Sequence, residues 1–207
     1  MICDIPESIE QSFYREKVYV GLKDPVFQPS DPFRHMTELC KILIDQIDHK
    51  PFLFLYTNGG SDHRVTYLRV QMALITIFLA LDLDILIALR TPPGHSWKNP
   101  VERIMLTLNL GLQCIGLMRN KMDEDFETII KNCNSMDDIR NESKMYPSII
   151  DELHTSLQPT IELMEDIIKR LELKEEPFSI FKAATNSEIN ELWNYILNID
   201  DSLTQEI

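Results

Sequence analysis

Two short, almost uninterrupted apolar runs, Phe52 to Tyr56 and Leu83 to Leu89, bracket a helix-length segment, and few folds accept that arrangement. A brief apolar run bounded by breakers is the pattern of a strand covered on both faces, and such strands belong to parallel sheets with helices packed over them. Pro51 opens the first run and Gly59-Gly60 closes it, after which Ser61 or Asp62 caps a helix through Leu81. Strand, helix, strand in that order predicts a right-handed parallel crossover. The carboxyl ends of both strands then share one edge, so Asn58 to His63 and Thr91 to Arg103 stand where α/β folds gather chemistry.

The flanking residues extend this core in both directions. Glu16 to Leu22 alternates around Val18, Tyr19 and Val20 and predicts a strand. Asp31 as N-cap and Pro32 at the first helical position start a helix whose apolar period, Met36, Leu39, Leu43, Ile47, carries it to about Asp48. Asn99-Pro100-Val101-Glu102 carries the start signals of a further helix through Ile115. Beyond residue 120, helical period recurs around 123–133, 148–172 and 186–199 with no strand signal. The expected organisation is an irregular lead-in over 1–16, an α/β core over 17–120 and an all-helical acidic region over 121–207.

Charge divides the chain at the same place. Residues 1–120 carry 12 Lys+Arg against 13 Asp+Glu, while residues 121–207 carry 8 against 20 and hold most of the net −13. An acidic surface is repelled by phosphate backbones, so the C-terminal part is not expected to bind nucleic acid by itself. The longest apolar run, Met72 to Leu81, is ten residues, too short to span a bilayer, and Met1 to Glu7 lacks the basic start of a secretion signal. Cys3, Cys40, Cys114 and Cys133 are widely spaced, which argues for reduced packing residues over disulfides or zinc. These features predict an intracellular protein, nuclear or cytoplasmic, with no membrane partner.

Asn58 after the first buried strand and Glu102 at the start of the later helix are expected to converge. A converging set of oxygen ligands is what Mg²⁺ requires, and two such ions can clamp the attacking and leaving oxygens of a phosphodiester. At these residues the chain resembles the DDE transposase/integrase superfamily, whose catalytic domain has the ribonuclease H-like fold. Tyr56-Thr57-Asn58-Gly59-Gly60 is similar to the turn that holds one family carboxylate, with Asn58 replacing its Asp, and Asn99-Pro100-Val101-Glu102 is similar to the Asn-Pro-x-Glu that opens the catalytic-Glu helix of mariner-like members. The run from about 17 to 120 also looks like uncharacterised transposon-derived proteins. A ribonuclease H-like core begins with a three-strand meander carrying the first Asp; only one candidate strand precedes the first helix here, and Asp4 has no strand-like context. The resemblance therefore implies a truncated core in which Glu102 alone remains of three acids, so that Mg²⁺ is held weakly by Glu102 and Asn58, if any activity remains, and strand transfer is lost.

Asp62 is either the N-cap of the next helix or a further carboxylate of the site. His63 and His95 rim the same edge, where each is solvated or touches a phosphate or a metal ion. Trp97, with Lys98 and Arg103, either packs beside the helix start or contacts nucleic acid by stacking and charge. Three classes of function stay open: a catalytically dead transposase-derived protein with residual binding of nucleic acid, through loops 58–63 and 91–103, or of protein; a divalent-metal-dependent DNA nuclease using Glu102 with Asp62; and an acidic protein-interaction module, docking through an exposed sheet edge or its acidic helices.

Overall fold

The computed structural model describes residues 1–3, 7–8, 10, 17–44 and 51–199. Asp4 and the expected end of the first helix at Asp48 lie outside the described residues. Helices dominate, with small parallel sheets between them, and the chain divides into two compact units: Ser30–Glu102 with Ala183–Ile207, and Met1–Pro29 with Arg103–Lys182.

The first unit holds the crossover. Helix α1 (Pro32–Ile44) starts as its sequence dictates, with Asp31 Oδ1 accepting the backbone N–H groups of Phe33 at 2.8 Å and Arg34 at 3.3 Å. Strand β2 (Phe52–Thr57), helix α2 (Leu68–Ala80) and strand β3 (Ile85–Arg90) follow, and β2 pairs with β3 in parallel, Phe52 opposite Ile85 and Thr57 opposite Arg90. Helix α7 (Asn186–Leu197) packs on α1 and α2, its start fixed by a capping box between Thr185 and Glu188. Phe33, Met36, Cys40, Met72, Ala73, Ile77, Leu192, Trp193 and Ile196 form the core between these helices, and Leu53, Leu55 and Leu86 of the sheet close it from one side.

Burial of the sheet on both faces does not hold. Phe52, Phe54 and Tyr56 on β2 and Ile85, Ile87 and Leu89 on β3 are exposed, Phe54 at 52%. The apolar runs continue without alternation, yet the period of two still sends every second side chain away from the helices. Only the inner face meets a helical layer among the described residues. The start of α2 also differs from expectation: Ser61–His63 form a single 3-10 turn, and α2 begins after Tyr67 with no side-chain cap, so neither Ser61 nor Asp62 caps it.

The second unit contains strand β1 (Tyr19–Leu22), most of helix α3 (Pro100–Gly111), helices α4 (Glu124–Asn132), α5 (Met136–Met145) and α6 (Ser148–Ile168), and strands β4 (Glu172–Leu173), β5 (Glu176–Pro177) and β6 (Ser179–Lys182). Two expectations are corrected here. The C-terminal region is not all helical, and β1 pairs in parallel with β6, Gly21 opposite Phe181, instead of extending the β2–β3 pair. The single three-stranded sheet is thus replaced by separate two-stranded ones. Val18, Ile104, Leu108, Ile168 and Phe178 make the core of this unit. Arg140 ties α5 to the segment after β1, its Nε donating to the Val26 carbonyl at 2.6 Å and its Nη2 to that of Pro25 at 3.0 Å. All four cysteines are free thiols, as their spacing implies.

Gly21 is required by its neighbour. A Cβ added there would overlap the Phe181 ring on the paired strand, and the half-buried ring has to move to make room. Gly21→Ala should therefore destabilise the fold by about 1–3 kcal/mol, seen as a lower urea midpoint at unchanged slope.

Candidate functional site

Asn58, the first residue past β2, sets the geometry of the strand ends. Its Oδ1 accepts the Gly60 N–H at 3.2 Å, a local turn that Asn favours by bonding backbone two residues on. Gly59 follows at φ +74°, a conformation that side chains rarely adopt. A Cβ there would also stand 3.3 Å from Arg90 Cδ, so Gly59 lets the Arg90 stem lie against the turn. The β3 end is fastened to the β2 end by Thr91, which donates its N–H at 2.8 Å and its hydroxyl at 3.2 Å to the Thr57 carbonyl.

Between the strand ends lies an open pocket of about 260 Å³ lined by Asn58, Gly59 and the run Arg90 to Gly94. Arg90 is its one charged lining residue. Glu102 is not among them: it is exposed in the first turn of α3, its N–H bonded to the Asn99 carbonyl at 3.1 Å. Asn99 is buried and caps that helix, its Oδ1 accepting the Val101 N–H at 3.1 Å. Among the described residues the Glu102 carboxylate takes no hydrogen bond or ion pair, so the cap is Asn99 alone.

The residues here do not fit Mg²⁺, a hard cation that is held by carboxylate oxygens. Asn58 is neutral and its oxygen is committed to Gly60, while Arg90 supplies positive charge where a cation would sit. Strand transfer finds no ion cage in this pocket.

Asp62 and His63 belong to a different cluster, one that the sequence did not reveal as a unit. Ser30, just before the α1 cap, donates its hydroxyl to Asp62 Oδ2 in a short hydrogen bond. His35, in the first turn of α1, brings Nε2 to 2.8 Å from Ser30 Oγ and 2.9 Å from the same Asp62 oxygen. The His63 ring lies beside His35, centroids 4.9 Å apart at 40°. Burial opposes ionisation of Asp62, but the hydrogen bonds from Ser30, its own backbone and His35, with the charge of His63, outweigh it and hold the carboxyl well below the usual carboxylate range. The group is not a nucleophilic Ser-His-Asp relay. Such a relay needs one imidazole nitrogen on Ser and the other on Asp, whereas Nε2 of His35 meets both.

His95, Trp97 and Lys98 share the loop after β3. Trp97 is 69% exposed and so does not pack beside the helix start; His95 stacks near it at 6.4 Å and Lys98 Nζ lies 5.2 Å over its ring. Arg103 is exposed on α3 and its contacts place it in the other unit.

Comparison with family models, with curated proteins and with solved structures finds no match to this chain. Its chemistry is therefore read from these two places alone. Arg90, Ser30 and His35 were not visible as site residues in the sequence. For Arg90 a signal existed, a lone cation ending an apolar strand just before Thr91-Pro92-Pro93-Gly94.

Proposed function

We propose that this chain is a transposase-derived protein, a truncated ribonuclease H-like domain that no longer cuts or joins DNA and whose remaining work is binding a phosphate backbone at the strand ends. The resemblance of Tyr56-Thr57-Asn58-Gly59-Gly60 and of Asn99-Pro100-Val101-Glu102 supports the ancestry. The observation that carries the function is the charge of the pocket, a lone Arg90 beside a neutral Asn58. A guanidinium with polar backbone around it suits a phosphate oxygen. Exposed Trp97 with Lys98 offers a stacking surface and a second cation for single-stranded or distorted nucleic acid.

Filter binding of short DNA across a salt series, with and without Mg²⁺, tests this. The expected result is retention that weakens with salt, no nicking with Mg²⁺, and a loss of about one in the salt slope for Arg90→Ala, as for one lost phosphate contact. Divalent-dependent nicking abolished by Glu102→Gln would overturn it in favour of a nuclease.

A second reading, an acidic protein-interaction module without a nucleic-acid role, is favoured by the exposed outer face of β2 and β3. Six exposed apolar and aromatic side chains lie side by side there, the kind of patch that marks a contact surface. It predicts no DNA retention at any salt.

A further inference from the structure

We propose that His35, Asp62 and His63 form a binding site for a transition-metal ion of the Zn²⁺ class, apart from the strand-end pocket. Among the described residues these three form the only group of His, Cys, Asp and Glu side chains able to share one ion, with candidate ligand atoms all within 4.8 Å of one another. Two imidazoles and one carboxylate are the donor set of catalytic-type zinc sites, three protein ligands with a fourth position left to water. It is too rich in nitrogen for Mg²⁺ or Ca²⁺, which take oxygen.

Geometry supports the assignment at three points. First, tetrahedral bonds of about 2.0–2.2 Å separate ligand atoms by roughly 3.4 Å. The 2.9 Å between His35 Nε2 and Asp62 Oδ2 therefore has to open by only about half an ångström, within the reach of small side-chain rotations. Second, the two histidine rings lie 4.9 Å apart, close enough for one ion to reach a nitrogen of each.

Third, the far side of His35 is provided for. Its Nδ1 faces Glu38 Oε2 at 3.9 Å; Glu38 is 4% exposed and held in place by the Ala184 N–H, which donates to its Oε1 at 3.1 Å. A carboxylate behind a ligating histidine is the usual outer shell of a zinc site, and Glu38 has to close by about 1 Å from 3.9 Å to accept Nδ1–H. With an ion on Nε2, the neutral imidazole of His35 would carry its one proton on Nδ1, the side that faces Glu38. Ser30 then loses its bond to His35 and retains Asp62, orienting that carboxylate.

Both supports are firm. His35 stands on α1, whose neighbours Phe33, Arg34, Met36 and Thr37 are buried, and Asp62 with His63 forms the 3-10 turn closed by the His63 N–H to the Gly60 carbonyl at 3.0 Å. The site is built from two segments 27 residues apart in sequence.

The test uses the full chain, stripped with a chelator and titrated with Zn²⁺ against a chromophoric indicator, with Co²⁺ as a spectroscopic probe. One Zn²⁺ per chain at micromolar affinity or better, and Co²⁺ visible bands of a four- or five-coordinate nitrogen and oxygen site without thiolate charge transfer, are expected. His35→Ala, His63→Gln and Asp62→Asn should each weaken Zn²⁺ at least about tenfold, a larger loss than that for Glu38→Gln. A chain with all four cysteines replaced by Ser, and His154→Ala, should bind as before. Should His35→Ala fail to fold by circular dichroism, the turn variants His63→Gln and Asp62→Asn decide. Unchanged affinity in those two, binding lost with the cysteines, or no stoichiometric uptake would overturn the proposal.

Discussion

Trp193→Ala should cost about 3–5 kcal/mol and lower the melting temperature of the unit that contains it by roughly 12–20 °C. Trp193 is 1% exposed at the centre of the α1, α2 and α7 core, its ring 4.3 Å from that of Phe33 at a 55° tilt, with the Arg69 guanidinium 5.9 Å above it. Removing the indole leaves a cavity between three helices that are already pinned: α1 by its Asp31 cap, α7 by its Thr185 cap, and the two together by Arg34, which donates to the Ala184 carbonyl and at 3.1 Å to Asn186 Oδ1. Pinned helices collapse poorly into a void, so the cost belongs at the upper end of the range. Trp193→Phe should cost much less, because the indole N–H has no acceptor among the described residues and its loss leaves no bond broken. Thermal melts of both variants in a Trp97→Phe background, where Trp193 of the reference chain is the sole indole emitter, separate cavity from polarity. Equal losses for Ala and Phe would mean that the indole N–H is bonded in solution.

The centre of the fold was legible because its signals are local and strong. Pro51, Gly59-Gly60 and the two apolar runs mark β2 to within a residue and β3 to within two, and Asp31-Pro32 and Asn99-Pro100 mark two helix starts whose caps are observed. What failed depended on contacts distant in sequence. Continuous apolar character predicts burial of both faces, but the run only states that both faces tolerate apolar side chains; whether a helical layer covers the second is decided elsewhere in the chain. Strands β4, β5 and β6 are two to four residues long, and β6 owes its existence to β1 some 160 residues earlier in the register Tyr19 to Ser179. A segment so short has too few positions to display a period.

The site was legible in part for the same reason. Asn58 forms a turn through an interaction that spans only two residues. Asp62 was readable as polar residue near the right edge, but its partners Ser30 and His35 stand 32 and 27 residues upstream. No spacing rule links a residue before an N-cap to a turn after the next strand; the packing of α1 against α2, which follows that turn, brings them together. Glu102 shows the converse. Its motif is local and the helix start forms as written, yet the carboxylate does not line the pocket that the motif suggested.

Acid should unfold this protein well above the pH at which its carboxylates finish titrating. Bidentate bonds from Arg119 at 2.7 and 2.8 Å, then the Met122 N–H at 2.8 Å, push Glu127 down to about 2. Glu188 is lowered first by Lys41 and then by the Thr185 N–H, and Asp138 by the backbone of Asn134 and the hydroxyl of Ser135. Each folded-state value lies below its unfolded value, so the unfolded chain binds the proton more tightly and each group contributes its full stability above about pH 4.5 and loses it as pH falls through its folded pKa. For Glu127 that window runs from about 4.5 to about 2. A second effect opposes it at higher pH: with net charge −13, proton uptake on the way down to the isoelectric point near 4.8 relieves repulsion. The melting temperature should therefore hold or rise slightly from pH 7 to about 5 and then fall by several degrees toward pH 3, since solvent screening keeps each of these surface pairs weak. Glu127→Gln removes one titrating partner, so its curve should start lower at pH 7 and run shallower in the acid limb, converging on the parent. A parent curve still rising at pH 3 would show that charge repulsion outweighs these carboxylate bonds, and parallel curves that Arg119 and Glu127 are not paired in solution.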